Sequence, residues 1–213
     1  MPRSPEKSKQ MRAESRTQIL DSAGRLFAQR GYAKTRIADV ARAAGMSQGN
    51  VYWYFDSKTD LLSAVLQQGF DQVQGMLEGA ARHEGSALEA LQSLFDQSLI
   101  LYREQLDFMR LLMATMAHSG APYIKDLGFE MEQIGMRYHA TLIPLITRAQ
   151  TEGVIPSGDP NQPIMLFFSL MNGLMLTYGE DMDLVPADEL RAAMMRLLNL
   201  PRDPIGRIKR SES

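Results

Sequence analysis

Apolar residues recur at three- and four-residue intervals along most of the 213-residue chain, the period of one buried helix face. Over residues 15–30 the series is Ile19, Leu20, Ala23, Leu26 and Phe27, and Gly31 supplies a stop. RIADVARAA, residues 36–44, sets Ile37, Val40, Ala41 and Ala44 on one side of a short second helix. Gly45 ends that helix, and Ser47 can cap a third that closes near Phe55. Ser57 with Asp60, and Ser86 with Glu89, have capping-box spacing, Asp60 standing in for the usual glutamate. The first pair starts a helix near Lys58, and the second opens a stretch through Phe95, Leu99 and Tyr102 toward Met116. HSGAP, 118–122, breaks that stretch, and another runs to about Glu152 with Pro144 expected to kink it. After the loop EGVIPSGDP, Asp159 and Pro160 start a very apolar helix, and Pro186 starts a last one. With no alternating strand, internal repeat or heptad array, the reading is all-α, about nine helices.

Two short helices joined by a glycine turn are the pattern of a helix-turn-helix, whose second helix enters the DNA major groove. Ala41 is small where the helices would cross, Gly45 sits in the turn, and Val51 and Tyr54 lie three apart to pack beneath the third helix. The predicted domains are a flexible basic arm (1–14), a helix-turn-helix DNA-binding domain (15–60), a larger helical domain (61–200) and a loose tail (201–213).

Charge sharpens this division. The formal net charge is only −2, but residues 1–60 carry eleven Lys and Arg against six Asp and Glu, and the remainder twelve against nineteen. The basic end is the one expected to face a polyanion; a solvated charged face with a loose arm is the alternative. The chain has no cysteine, which removes disulfides, thiolate metal sites and a cysteine nucleophile. No apolar run reaches membrane-spanning length and no signal peptide is visible, so a cytoplasmic protein is expected.

The stretch GYAKTRIADVARAAGMSQGNVYWYFDSKTDLLSAVL resembles the N-terminal DNA-binding segment of the TetR family of bacterial transcriptional regulators. The resemblance covers residues 19–66 and rests on the ordered set Gly31, Asp39, Ala41, Gly45, Ser47, Tyr52, Tyr54, Phe55, Lys58 and Leu61. It implies that residues 61–200 form an effector-binding and dimerisation domain.

On a helix starting at Ser47, Val51, Tyr54 and Phe55 face the bundle, leaving Gln48, Gly49, Tyr52 and Trp53 toward the groove. Gln48 and Asn50 offer amides to base edges, Gly49 permits close backbone approach, Trp53 meets thymine methyls or sugar edges, and Tyr52 donates to a phosphate. Trp53 packed as core against the first helix is the alternative. Thr35 and Lys58 are expected at phosphates, with helix N-termini at Ser47 and Lys58 adding free N–H groups; Lys58 as a solvated cap is the other reading. Arg36 stands where the family commonly has a hydroxyl residue, so an arginine contact is expected there. Arg3, Lys7, Lys9 and Arg12 either reach an adjacent groove or form a silent tail.

Twelve of the fifteen methionines follow residue 60, a composition suited to adaptable apolar cavities. The expected effector pocket comprises Phe95, Leu99, Tyr102, Phe108, Met109, Leu112, Met113, Met116, Tyr138, Phe167, Met171, Asn172 and Met175, with Arg110 a further polar group. The resemblance places the dimer interface on the last two helices, with Phe168, Leu174, Leu190, Met194 and Leu197 as contacts. The expected partners are double-stranded DNA with a palindromic operator, a small apolar or amphipathic effector and a second copy of the chain.

An enzyme is not expected. His83, His118 and His139 form no metal-binding pair, and no phosphate-cradling, dinucleotide or nucleophile-elbow motif occurs, so no cofactor or metal is assigned. The reading is a repressor released by its effector; the alternatives are a ligand-dependent activator and a helix-turn-helix that docks a protein.

Overall fold

The computed structural model describes residues 5–117, 122–179, 181 and 186–198, the side chains of 5, 195, 197 and 198 excepted. Among them lie nine α-helices, α1 Pro5–Arg30, α2 Ile37–Ala43, α3 Gln48–Tyr54, α4 Lys58–Ala81, α5 Ala87–Glu104, α6 Leu106–Met116, α7 Met131–Thr151, α8 Asn161–Tyr178 and α9 Ala187–Leu198, and one 3₁₀ turn, Ile124–Leu127. The all-α architecture with an N-terminal helix-turn-helix is the one expected. The chain divides into two compact units, Met1–Gly75 with Leu101–Arg137, and Met76–Ile100 with Tyr138–Ser213.

In the first unit, Ile19, Leu20, Ala23, Leu26 and Phe27 of α1 pack with Ile37, Val40 and Ala41 of α2 and Val51 of α3. The α2–α3 turn is a Schellman closure: Gly45 at φ 64 donates to Arg42 O at 3.1 Å, and Met46 N to Ala41 O at 2.8 Å. The same core continues through Leu61, Leu62, Val65, Leu66 and Phe70 of α4 to Phe108, Leu111 and Leu112 of α6 and Phe129. Phe70 meets Phe108 and Phe129 edge-on at 5.5 and 5.2 Å. The compact unit therefore reaches well past the expected boundary at residue 60, because α1 to α3 alone bury too little apolar surface.

Two boundaries differ from expectation. Helix α1 begins at Pro5, so residues 5–14 are helix and not a flexible arm. A proline suits a first helical turn, the following residues are mostly good helix formers, and Gln10 Nε2 donates to Glu14 Oε1 at 3.0 Å. The stretch expected to run unbroken toward Met116 divides at Gln105, whose φ −111 and ψ 21 leave the helical region. With that break, the Phe108 ring lies across Gly69 of α4, where an added Cβ would fall 2.2 Å from a ring carbon. Gly69→Ala is therefore expected to cost about 1–3 kcal/mol through overpacking, read as a lower urea midpoint.

In the second unit, Ala90, Leu91, Leu94 and Phe95 of α5, Leu142, Leu145 and Ile146 of α7, and Ile164, Phe167 and Met171 of α8 are buried. Ser86 and Glu89 form the reciprocal box, Ser86 N donating to Glu89 Oε2 at 2.8 Å and Glu89 N to Ser86 Oγ at 3.3 Å. The Ser86 hydroxyl, donating to Glu89 Oε2 at 2.8 Å, and then the Ser86 N–H hold the Glu89 carboxyl below its ordinary pKa. The N-cap of α8 is Pro160, one residue later than expected, and Asp159 Oδ1 accepts from Asn161 N at 3.0 Å. Pro144 lies inside α7. No helix among the described residues is long and apolar enough to cross a membrane.

Candidate nucleic-acid interface

The third helix has two sharply different faces. Val51 and Phe55 are buried, and Tyr54 packs against the core. Gln48, Gly49 and Asn50 are exposed, Tyr52 is 47% exposed and Trp53 61%. Burial of Val51 and Phe55 fixes the rotation of the helix, and that rotation presents two amides, a glycine, a phenol and an indole to solvent. Trp53 is thus no core residue; Tyr54 meets its ring edge-on at 4.6 Å. Ser47 is the N-cap, its Oγ accepting from Asn50 N at 3.1 Å, which sets the first turn and leaves Gln48 and Gly49 at the leading end.

Arg36 is the N-cap residue of α2 and has no oxygen with which to cap. Asp39 alone closes that end, accepting from Arg36 N at 3.2 Å, and the Arg36 side chain stays exposed.

Thr35 and Lys58 depart from the expected phosphate contacts. Thr35 is 1% exposed, and its hydroxyl proton is shared between Gly31 O at 2.9 Å and Leu26 O at 3.2 Å, tying the loop to the end of α1. Lys58 Nζ donates to Tyr32 O at 3.0 Å and Thr35 O at 3.2 Å, and lies 4.2 Å from the Tyr32 ring centroid. The Tyr32 hydroxyl is hydrogen-bonded to Thr59 Oγ1 at 3.0 Å. Lys58 is thereby a clamp between the α1–α2 loop and the start of α4. Hydrogen bonds from a charged donor contribute about 1.5–3 kcal/mol, so Lys58→Ala is expected to destabilise by about 2 kcal/mol. Urea unfolding checks the loss, and the salt dependence of DNA binding by the folded variant is expected to match wild type.

The basic residues of α1 also take on an order that no local pattern announces. Arg12 lies over the Trp53 ring and Arg16 over the Phe55 ring, each 5.4 Å from the centroid.

The expected pocket residues fall in both units. In the first, Phe108 and Leu112 belong to the core around Phe70, with Met109 packed against it, so Phe108 and Leu112 are committed to packing. Tyr102 and Met113 are partly buried and Met116 is exposed. Burial pushes the Tyr102 hydroxyl up to about 12, so it remains protonated at neutral pH. In the second unit Phe95 and Phe167 are 5.5 Å apart, Phe167 meets Phe168 at 5.2 Å, and Phe168 stacks on Tyr138 at 6.0 Å. Leu99, Met171 and Met175 are buried in that unit, and Asn172 is exposed.

Of the residues expected at a dimer interface, Met194 is 1% exposed within its own chain, which removes it from the available surface. Phe168, Leu174 and Leu190 are partly buried, and the Leu197 side chain lies outside the described residues. Leu176, 71% exposed, and Met165 are apolar surface residues of α8 that the expected set omitted. His139 Nδ1 lies 3.4 Å from Asn161 Oδ1, and His118 is outside the described residues.

A capped seven-residue helix, buried on one side and lined with amides and aromatics on the other, behind a glycine turn, is the form of a helix-turn-helix DNA-binding segment. Residues 19–65 match the family model of the bacterial regulatory proteins of the TetR family. Over that segment the chain is similar to the TetR family. The AcrR transcriptional regulator of Shigella flexneri is 37% identical over 89 residues, 41% of each chain. The matched stretch thus spans less than half of that relative. In fold, the TetR-family regulator PfmR of Thermus thermophilus superposes with a TM-score of 0.68 over 86% of this chain and 99% of its own, at 22% identity. The regulator FadR of Bacillus subtilis, solved in complex with stearoyl-CoA, gives 0.65 over 86% and 97%, at 21% identity.

Proposed function

We propose that the protein is a transcriptional repressor that binds a palindromic operator as a homodimer and is released by a small, largely apolar effector. The observation that carries this reading is the exposed face of α3, where Gln48, Gly49, Asn50, Tyr52 and Trp53 stand together on a helix whose other face is buried. Amides read base edges, the indole meets thymine methyls, and the Tyr52 hydroxyl and the exposed Arg36 serve phosphates. The cytoplasm, where bacterial DNA lies, is the proposed location.

Dimerisation follows from the geometry of a palindrome: two half-sites about 34–36 Å apart call for two recognition helices related by a twofold axis. The exposed Met165 and Leu176 of α8, with the partly buried Phe168, Leu174 and Leu190, supply apolar surface for the second copy. For the effector, the second unit offers Phe95, Leu99, Tyr138, Phe167, Met171 and Met175, apolar and aromatic groups joined by ring contacts, with Asn172 nearby in sequence on α8. The stearoyl-CoA bound by the Bacillus subtilis regulator makes acyl thioesters the first class to try.

Sedimentation of the protein with a duplex it has enriched from a random library tests the reading. Two protomers per duplex are expected, with dissociation when an acyl thioester is added. One protomer per duplex contradicts the palindromic dimer, and retention with every acyl chain length contradicts release by that class.

A further inference from the structure

We propose that Arg12 is a positioning residue for sequence discrimination, holding the Trp53 indole in the plane in which it meets the groove. The inference rests on the DNA-binding reading of α3 and adds a residue from a different helix to it. Trp53 is 61% exposed, so little of the core fixes its rotamer. Two neighbours set the ring: the edge-on contact of Tyr54, at 89° between planes, and the guanidinium of Arg12 over the indole face. The cation is attracted by the negative face of the ring, and the indole surface that stays exposed is what remains available to DNA.

Arg12 can do this only because α1 is helical from Pro5, so residue 12 is carried on a regular helix that continues into the core at Ile19 and Leu20. Four residues on, Arg16 makes the same kind of contact with the buried Phe55, at the end of α3. Residues 12 and 16 lie on one face of α1, and they meet α3 at neighbouring aromatic residues, one exposed and one buried. Of the two, only the ring under Arg12 is free to touch DNA. A large aromatic group ordered before binding loses less rotamer freedom on binding, and that saving goes to the sequence on which the ring fits. The planar guanidinium stacks in a way an ammonium does not.

Wild type, Arg12→Ala, Arg12→Lys, Trp53→Ala and the Arg12→Ala/Trp53→Ala double variant would be titrated against two duplexes. One is enriched by wild type from a random library; the other is a scrambled duplex of the same composition. Acrylamide quenching of Trp53, the single tryptophan of the chain, is measured on the free proteins that retain it. Arg12→Ala is expected to reduce the preference for the enriched duplex about two- to fivefold, the value of one exposed cation–π contact. That reduction is expected to vanish in the Trp53→Ala background, quenching to rise in Arg12→Ala, and Arg12→Lys to restore part of both. Equal loss on both duplexes, persisting without Trp53, would make Arg12 an ordinary phosphate contact and overturn the inference; so would unchanged quenching and preference. Failure of wild type to enrich any duplex overturns the DNA-binding reading itself, and the inference with it.

Discussion

Phe27→Ala is expected to lower the unfolding free energy by about 3–5 kcal/mol, the range for emptying a buried aromatic site. Phe27 is 1% exposed, lies in the cluster that joins α1 to α2, α3 and α4, and meets the Tyr32 ring at 5.4 Å. Tyr32 in turn supplies a carbonyl and a ring to the Lys58 ammonium, so the cavity opens directly beneath the clamp that holds the loop to α4. Urea titration followed by Trp53 fluorescence reads this unit. A midpoint within error of wild type would mean that the ring is not part of the core that carries the recognition helix.

Trp53→Ala is expected to act on the other side of the same helix and leave stability almost untouched, since the indole is mostly exposed. Its effect falls on DNA: about a tenfold or greater loss of affinity for an enriched duplex, on the scale of one base-edge contact, with little change on a scrambled one. Tyr52→Phe removes a single hydroxyl and is expected to weaken both duplexes alike, as a phosphate contact does. Titration of the two duplexes by fluorescence anisotropy separates the cases. Wild-type preference in Trp53→Ala would remove the indole from base reading.

The helix-turn-helix was legible because its signals are local. Gly31 and Gly45 end helices, Ser47 caps one, and the spacing of Val51 to Phe55 sets which side of α3 is buried; each depends on residues within a turn or two. The sites of Lys58 and Thr35 were not legible for the opposite reason. Lys58 reaches carbonyls 23 to 26 residues earlier in the chain, and Thr35 Oγ1 bonds Leu26 O nine residues back. A charged or hydroxyl side chain beside a recognition helix reads as a phosphate contact until the loop that it satisfies is placed. No glycine or proline marks the division at Gln105; it accompanies the packing of Phe108 across Gly69, a tertiary contact that overrides the helical pattern. Met194 shows the same limit, since an apolar residue on a terminal helix suits its own core and a partner's surface equally well.

Sequence-specific binding by the exposed face of α3 is the central property proposed for the protein. The most direct measurement is repeated selection of the intact protein on a random duplex library, with the enriched DNA titrated at several salt concentrations. The prediction is an enriched palindrome with half-sites about one helical turn apart, and an affinity that falls steeply and log-linearly with salt. Weak, salt-sensitive binding with no enriched sequence would contradict it, leaving Gln48, Asn50 and Trp53 exposed for some partner other than the bases of DNA.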